Sequence, residues 1–320
     1  MDLSRPRVVI TDADYPDLSI ERAILEPAGI RLDVPQVTHG PRLIDAVREA
    51  DGLIVQYAMI TREVVAEFHH CRIIARYGVG LDTIDVSAAE QHGIAVHNVP
   101  DYCTEEVADH TLALMLTILR GIHPLARGVA AGQWSLQPVR PLQRIRGLTM
   151  GLIGCGRIGT AVATRAGAFG MRVLAHDPFV AEDSLIARGV QPMPLERVLA
   201  EADVLSLHRP AELHGAPAIG RAELARVKRG VVLLNTARGS LIHEQALREA
   251  LTDGRVRAAA LDVLPTEPPL APSLADLPNV VVTPHAAWYS EQSEVQLRTT
   301  VAQLVRDALL PNRPAGPRPE

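Results

Sequence analysis

A glycine-rich segment, Gly151-Leu-Ile-Gly-Cys-Gly-Arg-Ile-Gly159, constrains the fold of this chain more than any other feature. An apolar run precedes it, a helical pattern follows, and Asp177 stands at the end of the next strand-like run. In such a unit Gly154 permits a tight turn, Gly156 lets the backbone approach a phosphate, and Gly159 lets the helix pack on the sheet. Because the N-terminus of that helix attracts anions, the sequence predicts a dinucleotide site.

Asp177 indicates which dinucleotide is bound. A carboxylate at this position accepts hydrogen bonds from the adenosine ribose hydroxyls and repels a 2′-phosphate, whereas an NADP site offers Arg or Lys. The residues that follow, Pro178 to Ala181, carry no cation. The sequence therefore favours NAD(H) as the cofactor.

Short apolar strands alternate with amphipathic helices along most of the chain, which is typical of an α/β fold with parallel sheets. In the first hundred residues the predicted strands are Arg7 to Thr11, Arg31 to Val37, Leu53 to Tyr57, Ile73 to Arg76 and Ile94 to Asn98. The predicted helices there are Ile20 to Ala28, Pro41 to Glu49, Arg62 to His69 and Ser87 to His92. This first sheet has no phosphate loop.

A second sheet is predicted after the first. Its strands are Thr149 to Gly154, Arg172 to Asp177, Val190 to Met193, Val204 to His208, Val231 to Asn235, Ala258 to Val263 and Val280 to Thr283. We therefore expect two doubly wound parallel-sheet domains, a flavodoxin-like substrate domain and a Rossmann NAD-binding domain. The expected boundaries are 1–101 for the first part of the substrate domain, 102–289 for the NAD-binding domain, and 290–320 for a return helix and flexible tail.

Two helices bear on how the domains are joined. One is predicted from Thr104 to Gly121, with Thr104 as its N-cap. It is apolar nearly all round its middle, so it must be covered on both sides, either between the domains or by a second subunit. The other, Glu291 to Leu310, is expected to return to the first domain, and the proline-rich Pro311 to Glu320 is expected to be disordered.

Composition excludes several kinds of partner. The formal net charge is -5, aromatic residues make up 3% of the chain, and Lys and Arg are scattered, so no nucleic-acid surface is indicated. Cys71, Cys103 and Cys155 are odd in number and lack metal spacing, which suggests reduced thiols, a cytoplasmic location and no metal site. The longest apolar run, 112–119, is far shorter than the roughly 20 residues of a membrane span, and no signal peptide is indicated.

Three polar residues, Arg238, Glu267 and His285, follow strands of the second predicted sheet. Because the carboxyl ends of parallel strands meet at one edge, we expect these side chains to converge. Arg238 can bind a substrate carboxylate and polarise a carbonyl, His285 can give a proton, and Glu267 can orient His285 and favour its protonated form. Each alone is more simply a surface ion pair, a solvated loop acid or a structural histidine, but with the glycine-rich turn they predict hydride transfer to a 2-keto acid.

Two loops of the first domain are candidates for substrate binding. Gln56-Tyr57-Ala58-Met59 follows one predicted strand, and Tyr77-Gly78-Val79-Gly80 follows another. Backbone N–H groups of such a glycine-containing turn, here those of Val79 and Gly80, can hold a carboxylate. Tyr57 either lines the substrate pocket or packs in the ordinary way.

Several segments carry a family resemblance: Ala75-Arg-Tyr-Gly-Val-Gly-Leu-Asp-Thr-Ile-Asp85, Asn98-Val-Pro-Asp with Glu106-Val-Ala-Asp-His-Thr111, the glycine-rich segment, Asn235-Thr-Ala-Arg-Gly-Ser240, Ala260-Leu-Asp-Val263 and Thr283-Pro-His-Ala286. Together they resemble the D-isomer-specific 2-hydroxyacid dehydrogenase family over nearly the whole chain. The resemblance implies a catalytic set of Arg238, Glu267 and His285. It also implies cofactor contacts from Thr111, Arg157, Ile158, Asp177, Thr236, Ala237 and Asp262, the last near the nicotinamide amide.

Within that family, the segment His285-Ala-Ala-Trp-Tyr-Ser-Glu-Gln292 resembles the C-terminal binding protein branch. Trp288 is therefore expected to contact the substrate or to pack between domains. Where relatives commonly have His-x-Pro-Leu-Thr, this chain has His208-Arg-Pro-Ala-Glu212, which leaves the role of Glu212 open. The resemblance implies an NAD-dependent enzyme that reversibly reduces a 2-keto acid to the D-2-hydroxy acid, or alternatively an NAD(H)-sensing scaffold. The apolar helix from Thr104 to Gly121 favours a homodimer.

Overall fold

A computed structural model describes residues 5–211 and 215–310 of the chain. These residues form two compact units, unit 1 with residues 5–102 and 290–310, and unit 2 with residues 103–211 and 215–289. Both sheets are parallel throughout, so the predicted α/β fold with two doubly wound parallel sheets is confirmed. Glu212 and the segment Pro311 to Glu320, for which we stated expectations, lie outside the described residues.

The strands of the described residues are β1 (Arg7–Ile10), β2 (Arg31–Asp33), β3 (Gly52–Val55), β4 (Ile73–Arg76), β5 (Ala95–His97), β6 (Thr149–Ile153), β7 (Arg172–His176), β8 (Gln191–Pro192), β9 (Val204–Leu207), β10 (Val231–Asn235), β11 (Val256–Leu261) and β12 (Val280–Val282). The α-helices are α1 (Ser19–Leu25), α2 (Pro41–Val47), α3 (Arg62–Val65), α4 (Val86–Gln91), α5 (Thr104–Leu119), α6 (Ile122–Ala130), α7 (Arg157–Ala168), α8 (Glu182–Ala187), α9 (Leu195–Glu201), α10 (Arg221–Arg226), α11 (Glu244–Thr252) and α12 (Glu291–Leu309).

Unit 1 is built on a five-stranded sheet in the order β2-β1-β3-β4-β5. Its central strands are largely apolar and buried, as strands covered on both faces must be. Helix α12 packs on α1, β3 and β4. The buried Arg298 of this helix donates to both carboxylate oxygens of Glu21 on α1, at 2.8 and 2.9 Å, and Tyr77 donates to the same carboxylate at 2.9 Å.

Unit 2 is built on a seven-stranded sheet in the order β12-β11-β10-β9-β6-β7-β8. Successive residues of its strands face opposite sides, so Leu233 belongs to the core that α9, α10 and α11 cover, whereas Val232 and Leu234 belong to the core under α5, α7 and α8. From β6 the chain adds β7 and β8 on one side of the sheet and then β9 to β12 on the other side of β6, so the order of strand addition reverses between β6 and β9. Ligands of open parallel sheets bind where the strands end beside such a reversal.

Several predicted element boundaries are wrong. The strand predicted to reach Val37 ends at Asp33, because Pro35 and Gln36 follow and Gln36 has a positive φ of 52°. The helix predicted from Arg62 to His69 is a single turn, α3. Thr104 is the first residue of α5 rather than its N-cap, and Cys103, which precedes it, makes no side-chain cap bond.

Much of the apolar surface of helix α5 is buried inside unit 2. Leu112 and Met115 on α5 pack with Val162 of α7 and with residues of β10 and β11 inside unit 2. Most of its apolar residues are therefore buried within unit 2, whereas Leu116 and Ile118 are only partly buried, so cover by the other domain or by a second subunit stays a prediction. The exposed apolar side chains of this region lie beyond α5, on α6 and the residues after it, where Ile122, Val129, Trp134 and Leu136 are 51%, 53%, 91% and 57% exposed.

Across the part of the chain that is described, no single helix has both the length and the apolarity to span a membrane. Taken as a pair, α5 and α6 meet those two criteria, although they are bent by 64° where they join.

Candidate active site

The glycine-rich turn connects β6 to α7 in unit 2, and two of its glycines cannot be replaced without displacing backbone. Gly154 has a φ of 92°, and a Cβ atom there would lie 2.4 Å from the carbonyl oxygen of His208. A Cβ atom at Gly159 would lie 2.6 Å from the carbonyl oxygen of Gly154. The start of α7 is thereby held directly against the end of β6.

The first turn of α7 is suited to an anion. The N–H groups of Arg157, Ile158 and Gly159 are the first of the helix, where an α-helix supplies no acceptor of its own. Gly156 precedes them, and a Cβ atom there would meet open space, so a ligand has room to approach the backbone. Helix α7 has 12 residues, so its aligned peptide dipoles place positive potential at this end.

Asp177 directly follows β7, and its carboxylate accepts a hydrogen bond from the glycine-rich turn. One carboxylate oxygen accepts the N–H of Cys155 at 2.7 Å, and the other accepts the N–H of Phe179 at 2.9 Å. Each carboxylate oxygen has a second lone pair, so hydroxyl groups of a ligand can still be accepted. Cys155 itself is buried, and burial raises the pKa of its thiol, which agrees with a small packing residue rather than a redox group.

His208, at the end of β9, borders the same turn. Burial lowers the pKa of His208 to about 4, so its ring is neutral at neutral pH. Its Nε2 lies 2.8 Å from the hydroxyl of Ser206. His208 therefore lies against the turn without adding a positive charge there.

Asn235, the last residue of β10, shapes the loop that carries Arg238. Its side-chain amide donates to the carbonyl of Arg238 at 2.8 Å, and its amide oxygen accepts the N–H of Ala237 at 3.0 Å. The residue after Arg238 must be glycine, because a Cβ atom at Gly239 would lie 2.0 Å from the carbonyl carbon of Leu264. Sequence reasoning missed Asn235, although its place at a strand end beside the predicted Arg was a usable signal.

Two buried threonines connect this loop to α5. The hydroxyls of Thr111 and Thr236 lie 2.8 Å apart, and Thr111 is also 2.7 Å from the carbonyl of Val107, to which it donates. The proton between the threonines therefore belongs to Thr236. Both side chains are already engaged, so the cofactor contacts implied for Thr111 and Thr236 remain predictions.

Glu267 and His285 are directly paired. The Nδ1 atom of His285 donates to Glu267 across 2.7 Å, and the other carboxylate oxygen of Glu267 accepts the N–H of Leu264 at 2.8 Å. This pairing assigns the proton on Nδ1 and leaves Nε2, on the far side of the ring, as the atom that can exchange a proton with a ligand. Both side chains are about one-third exposed.

Glu267 remains a carboxylate in this setting. Burial by itself would raise its pKa, but the hydrogen bonds from His285 and Leu264, together with the positive charges of His285 and Arg238, lower the pKa of Glu267 below its usual value. The charge of Arg238 thus acts on Glu267. Arg238, Glu267 and His285 form one cluster at the carboxyl edge of the unit 2 sheet, as their positions after β10, β11 and β12 predicted.

The backbone of His285 is strained and is held by Asp262. His285 has a φ of 54°, which is uncommon for a residue with a side chain, and its N–H donates to the carbonyl of Asp262 at 2.8 Å. The fully buried carboxylate of Asp262 accepts the N–H groups of Ala286 and Ala287 at 3.0 and 2.9 Å. Asp262 therefore fixes the turn that presents His285, and its contact with the nicotinamide amide remains a prediction.

His110 joins this network, and sequence reasoning did not single it out. Its Nε2 lies 3.0 Å from the hydroxyl of Thr283, which in turn donates to Asp262 at 2.5 Å. Helix α5 is thereby linked to the turn that carries His285. The motif quoted above contains His110, but only the fold brings it near residues 173 positions away.

The candidate substrate residues lie in both units. In unit 1, Tyr57 is 44% exposed, Val79 and Gly80 are half-buried, and the carbonyl of Val79 accepts the side chain of Asn98. In unit 2, the half-buried ring of Trp288 meets that of Tyr289 edge to face, with centroids 5.5 Å apart. Their roles toward a substrate remain predictions.

Comparison with known proteins places this site in context. Residues 112–287 match the family model described as D-isomer specific 2-hydroxyacid dehydrogenase, NAD binding domain. The chain is 35% identical over 305 residues to a D-3-phosphoglycerate dehydrogenase of Methanocaldococcus jannaschii, and 39% identical over 311 residues to that of Mycobacterium tuberculosis. These matches cover 95% and 96% of this chain but only 57% of each relative, so the chain spans little more than half their length.

Among solved structures, the chain is similar to a D-lactate dehydrogenase from Aquifex aeolicus complexed with NAD and lactic acid. The TM-score is 0.87 at 29% sequence identity, over 95% of this chain and 96% of that one. The expected placement near the C-terminal binding protein branch is not supported, because the curated relatives are named as phosphoglycerate dehydrogenases. That placement depended on one short segment around Trp288, whereas these matches extend along the chain.

Proposed function

Because the chain belongs to the D-isomer specific 2-hydroxyacid dehydrogenase family, we propose that it is an NAD-dependent enzyme that reversibly reduces a 2-keto acid to the D-2-hydroxy acid. The observation that carries this proposal is the pairing of His285 with Glu267 at 2.7 Å, on the sheet edge where a dinucleotide turn also ends. The similar lactate dehydrogenase was solved with lactic acid, which is a 2-hydroxy acid.

The residues of the dinucleotide turn fit NAD. Open space beside Gly156 admits the pyrophosphate, and the N–H groups of Arg157, Ile158 and Gly159 would bind it. Asp177 would accept hydrogen bonds from the adenosine ribose. When bound, NADH supplies the hydride that reduces the carbonyl carbon.

The remaining chemistry belongs to three side chains. Arg238 holds the substrate carboxylate through paired N–H donors and draws electron density from the neighbouring carbonyl. His285 donates its Nε2 proton to the carbonyl oxygen as that oxygen gains charge. Glu267 keeps the proton of Nδ1 in place, orients the ring and stabilises the imidazolium. In the oxidation direction neutral His285 takes the hydroxyl proton back.

The proposal is tested by mixing the protein with NADH and a panel of 2-keto acids and following absorbance at 340 nm. Loss of NADH with at least one keto acid, and formation of NADH from the matching D-hydroxy acid and NAD⁺, is the expected result. If NADH binds but no keto acid of the panel is reduced, the proposed activity is wrong.

Asp177 is expected to set the preference for NADH over NADPH. Asp177→Ala removes both the charge that repels a 2′-phosphate and the acceptor of the Cys155 N–H, so the preference should fall by about 1 to 3 kcal/mol, roughly 5- to 150-fold in kcat/KM. Asp177→Asn keeps an acceptor and loses the charge, so it separates the two contributions. Equal use of both cofactors by the parent protein would contradict this role.

Glu267→Gln is expected to change the pH dependence of turnover. Reduction requires the protonated ring of His285, so its rate falls as pH rises, whereas oxidation requires the neutral ring and shows the opposite trend. Glu267→Gln removes the charge that faces the protonated ring across their hydrogen bond, so both curves should move to lower pH. Profiles of kcat/KM in both directions check this, with Glu267→Asp as the charge-retaining control, and an unmoved profile would refute the pairing.

Unit 1 is proposed as the substrate domain, with residues 290–310 returning to it, and unit 2 as the NAD-binding domain. In unit 1 the N–H groups of Val79 and Gly80 are proposed to bind a substrate carboxylate. Tyr57 of unit 1 and Trp288 of unit 2 are each proposed as substrate contacts.

The protein is also proposed to form a homodimer. Besides the partly buried residues of α5, the surface that favours this is the exposed apolar stretch that begins with α6 and includes Trp134 and Leu136. Light scattering at low micromolar concentration should give twice the chain mass of 34.6 kDa. Leu136→Asp should yield monomers, whereas Leu270→Asp, a matched change at an exposed loop residue, should not. A monomeric parent would refute the proposal.

A further inference from the structure

A chain of hydrogen bonds within unit 2 runs from helix α5 to the turn that carries His285. Its members are His110 on α5, Thr283 directly after β12, and Asp262 directly after β11. The Nε2 atom of His110 lies 3.0 Å from the hydroxyl of Thr283, which donates to a carboxylate oxygen of Asp262 at 2.5 Å. The proposed mechanism assigns no step to His110 or Thr283.

The direction of these hydrogen bonds places the protons. The hydroxyl of Thr283 has one proton and gives it to Asp262, so toward His110 it can only accept. The Nε2 atom of His110 therefore carries a hydrogen and donates it. Both the neutral ring protonated at Nε2 and the imidazolium supply this donor, so the link does not depend on the charge of His110.

The carboxylate of Asp262 is fully buried, and both of its oxygens accept hydrogen bonds. One oxygen accepts the Thr283 hydroxyl and the N–H of Ala286, and the other accepts the N–H of Ala287. Nε2 of His110 lies 3.5 Å from the first of these oxygens. Burial of a carboxylate is costly unless its lone pairs are used, so these donors fix both the position and the rotation of this side chain.

Asp262 in turn determines the backbone around His285. Its carbonyl accepts the N–H of His285, and its carboxylate accepts the next two N–H groups along the chain. His285 has a φ of 54°, in the left-handed region that residues with a side chain seldom occupy. Three successive N–H groups directed at one residue hold the backbone in this conformation, and the direction of the imidazole ring follows from it.

The hydrogen bond from His285 to Glu267 does not by itself fix the ring relative to the sheet. Glu267 belongs to the loop 265–272, in which every residue is exposed. The pairing therefore sets the rotation of the ring, whereas its position depends on the turn that Asp262 holds.

Helix α5 is a firm anchor for the other end of the chain of hydrogen bonds. It has 16 residues and packs on α7, β10 and β11. It begins with Thr104, the second residue of unit 2, while the turn that carries His285 directly precedes Tyr289, the last residue of the same unit. The contact between His110 and Thr283 thus joins the two ends of the segment that forms unit 2.

We infer that His110 is a positioning residue for the general acid: through Thr283 and Asp262 it holds the turn that presents His285, and it exchanges no proton with the substrate. This inference rests on the proposed function. The position of a general acid affects the transition state and not the binding of the keto acid. Loss of the link should therefore lower kcat and leave the KM for the keto acid unchanged.

The test compares substitutions of His110 at saturating NADH. His110→Leu keeps similar bulk without a donor, and kcat should fall about 10- to 100-fold because a small misplacement of a catalytic group costs up to about 10²-fold. His110→Gln carries a donor at about the same distance from the backbone and should retain at least about one third of kcat. His110→Asn is polar but too short, so it should resemble His110→Leu. The KM for the keto acid should stay within about twofold in all three.

Substitutions of Thr283 test whether the two residues act as one unit. Thr283→Val removes the hydroxyl and should lower kcat about as much as His110→Leu, whereas Thr283→Ser keeps the hydroxyl and should be near parental. The double variant His110→Leu with Thr283→Val should have a kcat within about threefold of the lower single variant, because both changes break the same link.

Two control variants make the same side-chain changes elsewhere. Thr164→Val removes an exposed hydroxyl of α7 that donates to its own helix, and His70→Leu removes an exposed imidazole of unit 1. Both should leave kcat unchanged. Circular dichroism and the dissociation constant of NADH, measured by fluorescence, establish that each variant is folded and that NADH is saturating.

The outcomes separate this inference from the proposed function. The inference is overturned, and the proposed function left intact, if His110→Leu keeps more than about half of the parental kcat, if it raises KM instead, or if the two single effects multiply in the double variant. Equal losses in His110→Gln and His110→Asn also overturn it, and this pair decides if the apolar variants do not fold. No turnover of any keto acid by parent protein that binds NADH overturns the proposed function and this inference with it.

Discussion

Replacing His285 with Ala is expected to lower kcat/KM for keto-acid reduction by about 10³-fold at pH 7. The imidazolium donates the proton that the forming alkoxide needs, and a positioned general acid contributes roughly 10² to 10⁴ in rate. The dinucleotide turn between β6 and α7 does not depend on His285, so the dissociation constant of NADH, measured by fluorescence, should stay within about twofold.

The matched control for this variant is His70→Ala, which removes an exposed imidazole from the loop before β4 in unit 1. It should retain parental turnover. Near-parental turnover by His285→Ala would show that proton donation has another source, whereas loss of NADH binding would show that the substitution acts on the fold.

Removing Arg238 is expected to have an effect of similar size. Arg238→Ala deletes the paired donors that hold the substrate carboxylate, so kcat/KM should fall by about 10³-fold, while Arg238→Lys keeps the charge without the fork and should lose about 10²-fold. Added guanidinium should partly restore the alanine variant. A loss of less than about fivefold in Arg238→Ala would contradict the assignment of the carboxylate to this residue.

Much of the site was predictable because parallel strands impose a simple rule. Polar residues directly after strands of one sheet meet at one edge, so the order of Arg238, Glu267 and His285 along the chain was enough to group them. The glycine-rich turn was equally predictable. A Cβ atom at Gly154 would clash with the carbonyl of His208, so only glycine fits at this position. Local chemistry and chain order sufficed for both.

The supports of the site were not predictable in the same way. His110 reaches Thr283 and Asp262 only through the packing of α5 on the sheet, and nothing in its local sequence indicates that contact. The positive φ of His285 likewise arises from the hydrogen bonds that Asp262 makes to the turn. Such positioning residues depend on long-range contacts, which a single sequence does not specify.

Errors at element ends have a similar cause. The strand after Arg31 appeared to continue because Val34 and Val37 are apolar, but Pro35 cannot donate to a neighbouring strand. The excess apolar surface of α5 was attributed to cover between the domains or by a second subunit, because its contacts with α7 and the strands β10 and β11 could not be predicted from the pattern of its own residues. Apolar periodicity reports that a face is buried, not which element buries it.

The central claim is that this chain transfers a hydride from NADH to a 2-keto acid while His285 supplies the proton. The most direct test uses NADH deuterated at C4 on the transferred face, with the product of a keto acid that is reduced in the panel assay examined by mass spectrometry and chiral chromatography. We expect a D-2-hydroxy acid that carries one deuterium at C2. An L-product, or a product without deuterium at C2, would contradict the account.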